Sequence, residues 1–333
     1  MNIGFFIFMM FQERTILVTG GCGFIGSNFI HMLMHRHGSG IKIINLDALT
    51  YAANTDNVKE FISNPNYIFY KGKIEDTDYV KHICKTHNVE GIINFAAESH
   101  VDRSIEDFTP FLNTNVVGTL SLLSVAKELT LKKFLQVSTD EVYGTLELNS
   151  NDKFTENTQI QPNSPYSAAK AAADGFVRSF YHTYGVPTVI TRCSNNYGPR
   201  QFPEKLIPLV ILKALNNEKI PVYGDGLNIR DWIHVNDHCD AVWKVYEHGN
   251  PGEVYNIGSN NEINNITIVK KILSILNKSE NLIEYVDDRL GHDRRYAIDS
   301  TKVYEELNWE PSISFEDGIE STIEWYIDNK NFK

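Results

Sequence analysis

Residues 16 to 29 read ILVTGGCGFIGSNF, an apolar run that breaks into Gly20, Gly21, Gly23 and Gly26 and resumes as an amphipathic stretch. The run satisfies both G-x-x-G-x-x-G and G-x-G-x-x-G. Glycines at this spacing between a strand and a helix allow a tight turn, close backbone approach to a pyrophosphate and close helix–sheet packing. The helix N-terminus then faces the anion. Asp47 closes the next apolar run about 20 residues on, where an acid takes the ribose hydroxyls. An aspartate there repels a 2′-phosphate, and the adjoining DALTY offers no arginine, so NAD is expected rather than NADP. The bland alternative for Asp47 is a simple strand-end cap.

Short apolar runs and helix-like stretches alternate through the first part of the chain. Buried strands are expected at 15–20, 41–47, 66–72, 91–97, 133–139 and 187–192, with helices at 25–37, 77–87, 113–129 and 165–184. This alternation predicts an α/β fold, a doubly wound parallel sheet of the Rossmann type. After about residue 195 the chain becomes rich in Gly, Asn and Asp, which suggests a smaller C-terminal α/β lobe for substrate. The expected division is an extension over 1–13, an NAD-binding domain over 14–194 and a substrate lobe over 195–333. A helix near 235–248 is expected to return to the first domain.

A chain of 333 residues with 42% hydrophobic and 22% charged residues is long enough for a large core. Its net charge of −11 and lack of a basic stripe argue against a nucleic-acid partner. An anionic small substrate would need arginines and lysines placed locally. Cys22, Cys84, Cys193 and Cys239 are widely spaced, with no zinc-type cysteine–histidine pattern. No metal is expected, and a reduced, cytoplasmic protein is the simplest reading. The apolar run from Ile3 to Phe11 is too short to span a bilayer and has no basic segment before it, so neither a membrane anchor nor a signal peptide is expected.

NSPYSAAKAAADGF sets Tyr166 and Lys170 four apart, on one face of a helix that Ser164 can cap and Pro165 can start. An ammonium beside a phenol favours the phenolate, a base suited to an alcohol that loses hydride. In LQVSTDEVYGT a core strand stops at a hydroxyl and two adjacent carboxylates, Thr139, Asp140 and Glu141. A solvated strand end would look the same. Paired carboxylates can also serve as acid and base if their environments push their proton affinities apart.

Together with AAESHVDRSI, RCSNNYGPRQFPEKLIP, GDGLNIRDWIHVNDH and GHDRRYAID, these segments resemble the extended short-chain dehydrogenase/reductase superfamily. Within it, the chain is most similar to the nucleoside-diphosphate-glucose 4,6-dehydratases of deoxysugar (rhamnose-type) synthesis. The resemblance runs from about residue 14 over nearly the whole chain. It implies a hydro-lyase with tightly held NAD, acting on dTDP-glucose or UDP-glucose, and a homodimer built on the helices at 113–129 and 165–184.

The resemblance also implies roles. Tyr166 takes the C4 hydroxyl proton, tuned by Lys170, and Thr139 bonds the C4 oxygen. Glu141 is the C5 base and Asp140 the acid for the C6 oxygen. Besides Gly20, Gly23, Gly26 and Asp47, the cofactor positions are Phe24, Ile25, Thr50, Ile74, Ala96, Ala97, Thr114 and Asn196, with Tyr166 and Lys170. Asn195, Arg230 and Arg289 match diphosphate and nucleoside positions. Ser99, Lys205, Leu206, Pro221, Tyr223, Asn265 and His292 match other substrate positions. The chain departs from the family at Lys73, where an aspartate usually reaches the adenine amino group; lysine cannot accept that bond. A nucleotide-sugar 4-epimerase or decarboxylase, or a non-catalytic NAD-sensing protein, would share the dinucleotide site. None of them explains the carboxylate pair.

Overall fold

The computed structural model describes residues 14–288, 291–330 and 332; Arg289 and the extension over 1–13 lie outside the described residues. Seven parallel strands form the main sheet: β1 (Arg14–Thr19), β2 (Ile41–Asp47), β3 (Tyr67–Lys71), β4 (Gly91–Asn94), β5 (Lys133–Thr139), β6 (Thr188–Cys193) and, later in the chain, Val254–Ile257. The chain between supplies β7 (Asn195–Tyr197), β8 (Ile220–Tyr223) and β9 (Ile229–His234), so Val254–Ile257 is β10, followed by β11 (Glu262–Asn264) and β12 (Ile283–Val286). The order across the large sheet is β10-β6-β5-β4-β1-β2-β3.

Strands covered on both faces must be apolar on both faces, and β1 shows it. Ile16 and Val18 join the core under the helices Phe24–His37 and Val235–His248, while Leu17 joins the opposite core with Ile44, Ile92, Leu122 and Phe134. Chain order reverses between β1 and β4, and the crevice beyond the carboxyl ends of strands at such a switch point is where ligands bind. Thr19, Asp47, Asn94, Thr139 and Cys193 are the final residues of five neighbouring strands, so the chain emerges into this crevice five times.

β4 ends at Asn94 rather than 97, because Phe95 to Ser99 leave the sheet to line the crevice. The helix expected at 113–129 is regular only over Thr119–Glu128. A π-helical segment, Leu112–Gly118, precedes it, and the helical run begins at Thr109.

The chain after residue 195 forms its own core of Tyr197, Ile211, Trp232, Ile272, Phe315 and Ile323, around the small sheets β11-β9-β7 and β12-β8. It crosses back for longer than one helix. Val235–His248 packs on Phe24–His37, and β10 then adds an edge to the large sheet beside β6.

Candidate active site

A cavity of about 530 Å³ opens along the carboxyl ends of the large sheet. At one end lies the glycine turn. Gly20 has φ +68°, and a Cβ there would stand 2.8 Å from the Ala96 backbone nitrogen. A Cβ on Gly26 would lie 2.3 Å from the Gly20 carbonyl oxygen. A side chain at either place would fill the cradle or break the turn. Helix Phe24–His37 starts here with Gly23 as its cap and no capping side chain, so its first N–H groups are left for a ligand.

Asp47 is held in place by N–H donors, from Cys22 to Oδ2 at 2.9 Å and from Leu49 to Oδ1 at 2.8 Å. Burial raises its proton affinity and those two donors oppose the rise. Each carboxylate oxygen keeps capacity for another donor. These features fit a dinucleotide's pyrophosphate and ribose.

Every residue assigned to the cofactor from sequence lines this one cavity: Gly20, Gly23, Phe24, Ile25, Gly26, Asp47, Thr50, Ile74, Ala96, Ala97, Thr114, Tyr166, Lys170 and Asn196. Lys73 lines it as well, next to Glu75, which accepts a bond from Thr114 Oγ1 at 3.3 Å.

The reactive cluster sits where β5 ends. Thr139 Oγ1 accepts from the Glu141 N–H at 3.3 Å and so starts a single 3₁₀ turn, Asp140–Tyr143, which Gly144 stops at φ +93°. The same hydroxyl donates to Asp140 Oδ1 at 3.3 Å and favours the ionised form of the Tyr166 side chain. Asp140 is only 2% exposed, and its Oδ2 has no partner. Burial, then Glu141, then Asp231 push its proton affinity well above the carboxylate range, against Arg230 and Thr139.

Tyr166 lies on helix Pro165–Tyr184. Ser164 Oγ caps this helix by accepting from the Ser167 N–H at 3.1 Å, and Ser167 Oγ accepts from the Ser164 N–H at 3.0 Å. One turn on, Lys170 Nζ donates to the Val137 carbonyl at 2.6 Å. Where the neighbouring ammonium predicts a lowered Tyr166 pKa, burial, then Glu141 and Cys193, push it well above the ordinary phenol value, with Thr139 opposing. Lys170 is itself lowered by burial, with Asp174 and Cys193 opposing.

The substrate positions divide into two groups. Ser99, Thr139, Asn195 and Lys205 line the cavity, and Lys205 Nζ donates to the Ser99 carbonyl at 2.8 Å, tying the loop after β4 to the start of helix Leu206–Leu215. Leu206, Pro221, Tyr223, Arg230, Asn265 and His292 lie in the second lobe and do not line it. Among these, Tyr223 and His292 meet edge to face at 6.4 Å, and Asn265 Oδ1 is buried without a partner.

Arg230 is bound to the Asp293 carbonyl at 2.9 Å and stacks 4.2 Å over Tyr296, yet its charge reaches Asp140. Tyr296 was not singled out from the sequence. Its hydroxyl donates to Asp293 Oδ2 at 2.5 Å, and after burial Glu141 is the strongest influence raising its pKa. It stands inside GHDRRYAID, the segment already noted for its likeness to the dehydratases. Cys193, a buried thiol pushed up to about 12 mainly by burial, was also missed.

A dinucleotide crevice that holds a tyrosine–lysine pair beside two carboxylates defines a member of the extended short-chain dehydrogenase/reductase class that modifies nucleotide sugars. The family model described as GDP-mannose 4,6 dehydratase matches residues 17–322, and the chain belongs to this family. It is 51% identical to the dTDP-glucose 4,6-dehydratase of Xanthomonas campestris pv. campestris, over 96% of this chain and 94% of that protein. Among solved structures it resembles dTDP-glucose 4,6-dehydratase from Bacillus anthracis in complex with NAD, at 51% identity and TM-score 0.90 over 96% of this chain and 98% of that one. It also resembles DesIV, a dTDP-glucose 4,6-dehydratase from Streptomyces venezuelae with NAD and TYD bound, at 41% identity and TM-score 0.92 over the same shares.

Proposed function

We infer that this chain is an NAD-dependent hydro-lyase that converts dTDP-glucose to its 4-keto-6-deoxy sugar nucleotide and water, a step of deoxysugar synthesis. The observation that carries this reading is the pair of unlike carboxylates. Asp140 is buried and held towards its protonated form, whereas Glu141 beside it is half-buried at the cavity wall. An epimerase has no task for such a pair.

NAD, which the glycine turn and Asp47 would hold, would supply a reversible hydride acceptor for the C4 hydrogen that ends at C6, and its cationic ring would favour an ionised Tyr166. Tyr166 takes the proton of the C4 hydroxyl, and Thr139 holds the C4 oxygen. The C5 hydrogen, now next to a ketone, becomes acidic enough for Glu141 to remove. Asp140 gives its proton to the C6 oxygen, which leaves as water. The proton returned to C5 completes the balance, so water is lost with no net change in oxidation state.

Diphosphate recognition rests on Asn195 and Arg230, with Arg289 outside the described residues. The relatives' substrate supports thymidine over uridine. The test is turnover of dTDP-glucose and UDP-glucose side by side, read as the ketone's absorbance after alkali. Faster turnover of the thymidine nucleotide is expected. Conversion to a C4 epimer without ketone formation would overturn the reading.

A homodimer belongs to the same proposal. Phe108, 62% exposed, precedes a helical run that also exposes Leu112 and Val117, and the neighbouring helix exposes Phe176. The two helices pack against each other and leave these apolar groups outward, which suits a second copy. Among the described residues no helix is long and apolar enough to cross a membrane. All four cysteines are free and buried, which suits a cytoplasmic setting.

A further inference from the structure

Outside the residues that line the cavity, His31, His35 and Glu60 bring three ligand atoms within 4.8 Å of one another. His31 and His35 stand four apart on helix Phe24–His37, hence on one face, and Glu60 comes from the 3₁₀ segment Thr55–Phe61. Glu60 Oε1 lies 3.2 Å from His31 Nδ1 and 3.2 Å from His35 Nε2. Phe61 packs against both imidazoles, with ring centroids at 4.8 and 5.7 Å.

We propose that His31 Nδ1, His35 Nε2 and Glu60 Oε1 form a binding site for a divalent transition-metal ion of the Zn²⁺ type, with water in the fourth position. Two dimensions support it. Ligands about 2.0–2.2 Å from a tetrahedral Zn²⁺ stand about 3.3–3.6 Å from one another. Both nitrogen–carboxylate separations are already close to that. Only the two histidines must draw together, and His35, 69% exposed on its side chain, is free to swing.

The second support is a hydrogen bond. His31 Nε2 lies 2.7 Å from the Asn57 carbonyl, which can only accept, so Nε2 carries the proton. Metal-ligating histidines characteristically donate their other N–H in this way, which fixes the tautomer and orients the ring. With that proton on Nε2, Nδ1 is the ring atom that faces Glu60 Oε1, at 3.2 Å. Arg200, bonded to Asn28 Oδ1 at 2.9 Å, is the nearby positive charge that counts against a metal.

The position has a structural consequence. The segment that carries Glu60 is tied to the glycine turn, since the Asn54 N–H and Asn57 Nδ2 each donate to the Cys22 carbonyl at 3.0 Å. A bound ion would pin that segment to the helix rising from the same turn.

The experiment titrates ZnCl₂ by calorimetry into the full-length protein after chelator treatment and dialysis, with His35→Ala and Glu60→Ala in parallel. Both side chains are largely exposed, so both variants should fold. The parent is expected to show one saturable site per chain, weakened at least about tenfold by each substitution. Zn²⁺ should raise the melting temperature of the parent and not of His35→Ala. No saturable binding by the parent, or parent-like affinity in either variant, would overturn the site.

Discussion

Glu141 is, after burial itself, the strongest influence raising the proton affinity of its neighbour Asp140. The two carboxylates are adjacent in sequence, but the 3₁₀ turn begun by Thr139 sends Asp140 inward and leaves Glu141 at the cavity wall. One turn of backbone thus separates the proposed acid from the proposed base. The folded pKa of Asp140 is raised, so the folded state binds this proton more tightly than the unfolded chain. Its contribution to stability is complete below the ordinary carboxylate value and is lost as pH rises through the raised one. Asp140→Asn removes that dependence, so its stability relative to the parent should improve with rising pH in urea titrations. Dehydration should fall by about 10²–10⁴-fold, the usual worth of a positioned acid. A stability difference between variant and parent that stays constant with pH would contradict this assignment.

Asp174 continues the Tyr166–Lys170 column by one more turn, and its Oδ2 accepts from Arg192 Nε at 2.9 Å. Both side chains are buried, and Arg192 also donates to the Tyr143 hydroxyl at 2.9 Å. Removing one member of a buried pair strands the other charge. Asp174→Ala is therefore expected to cost about 3–5 kcal/mol in urea unfolding. Asp174 also supports the charged form of Lys170, so surviving activity should shift in its pH profile.

Lys73 lines the cavity one residue before the buried Ile74. An aspartate there would offer an acceptor to the adenine amino group, which lysine cannot. Lys73→Asp should retain NAD more tightly through gel filtration and leave the product unchanged. Equal retention would mean that another acceptor, such as Glu75 or a main-chain oxygen, already fills the role.

The exposed Leu112 and Val117 should lie in the subunit contact. Light scattering at micromolar concentration is expected to give a dimer mass for the parent and a monomer mass for Leu112→Glu combined with Val117→Glu. A parent that runs as a monomer sinks the proposed interface.

The parts of this molecule legible in the sequence are those fixed by neighbours along the chain. Gly20 and Gly26 announce a turn because their needs are local, and Tyr166 and Lys170 share a face because a helix repeats. Tyr296 and Asp231 were not legible as neighbours of Glu141 and Asp140, since distant segments carry them to the site. Val254 to Ile257 becomes part of the large sheet only through tertiary pairing with β6, which nothing local in the sequence announces. The direction of the Tyr166 shift was missed for a related reason. Spacing reports which groups are close, whereas burial, the larger influence here, depends on everything packed around them.

The two halves of the proposed reaction can be separated with two substitutions. In the proposal Tyr166 acts at the C4 hydroxyl and Glu141 at the C5 hydrogen, so the first is needed before the second has anything acidic to remove. Tyr166→Phe should block every stage, including the absorbance of the reduced nicotinamide. Glu141→Gln keeps Thr139, Tyr166 and Lys170 and so should still allow oxidation at C4. Water loss should then slow by about 10²–10⁴-fold, and with excess substrate the reduced-nicotinamide absorbance should accumulate. In deuterated water the parent should place deuterium at C5, and Glu141→Gln should do so at the reduced rate. If Glu141→Gln neither slows dehydration nor changes that absorbance, Glu141 is not the base, and the carboxylates after β5 serve only to shape the turn.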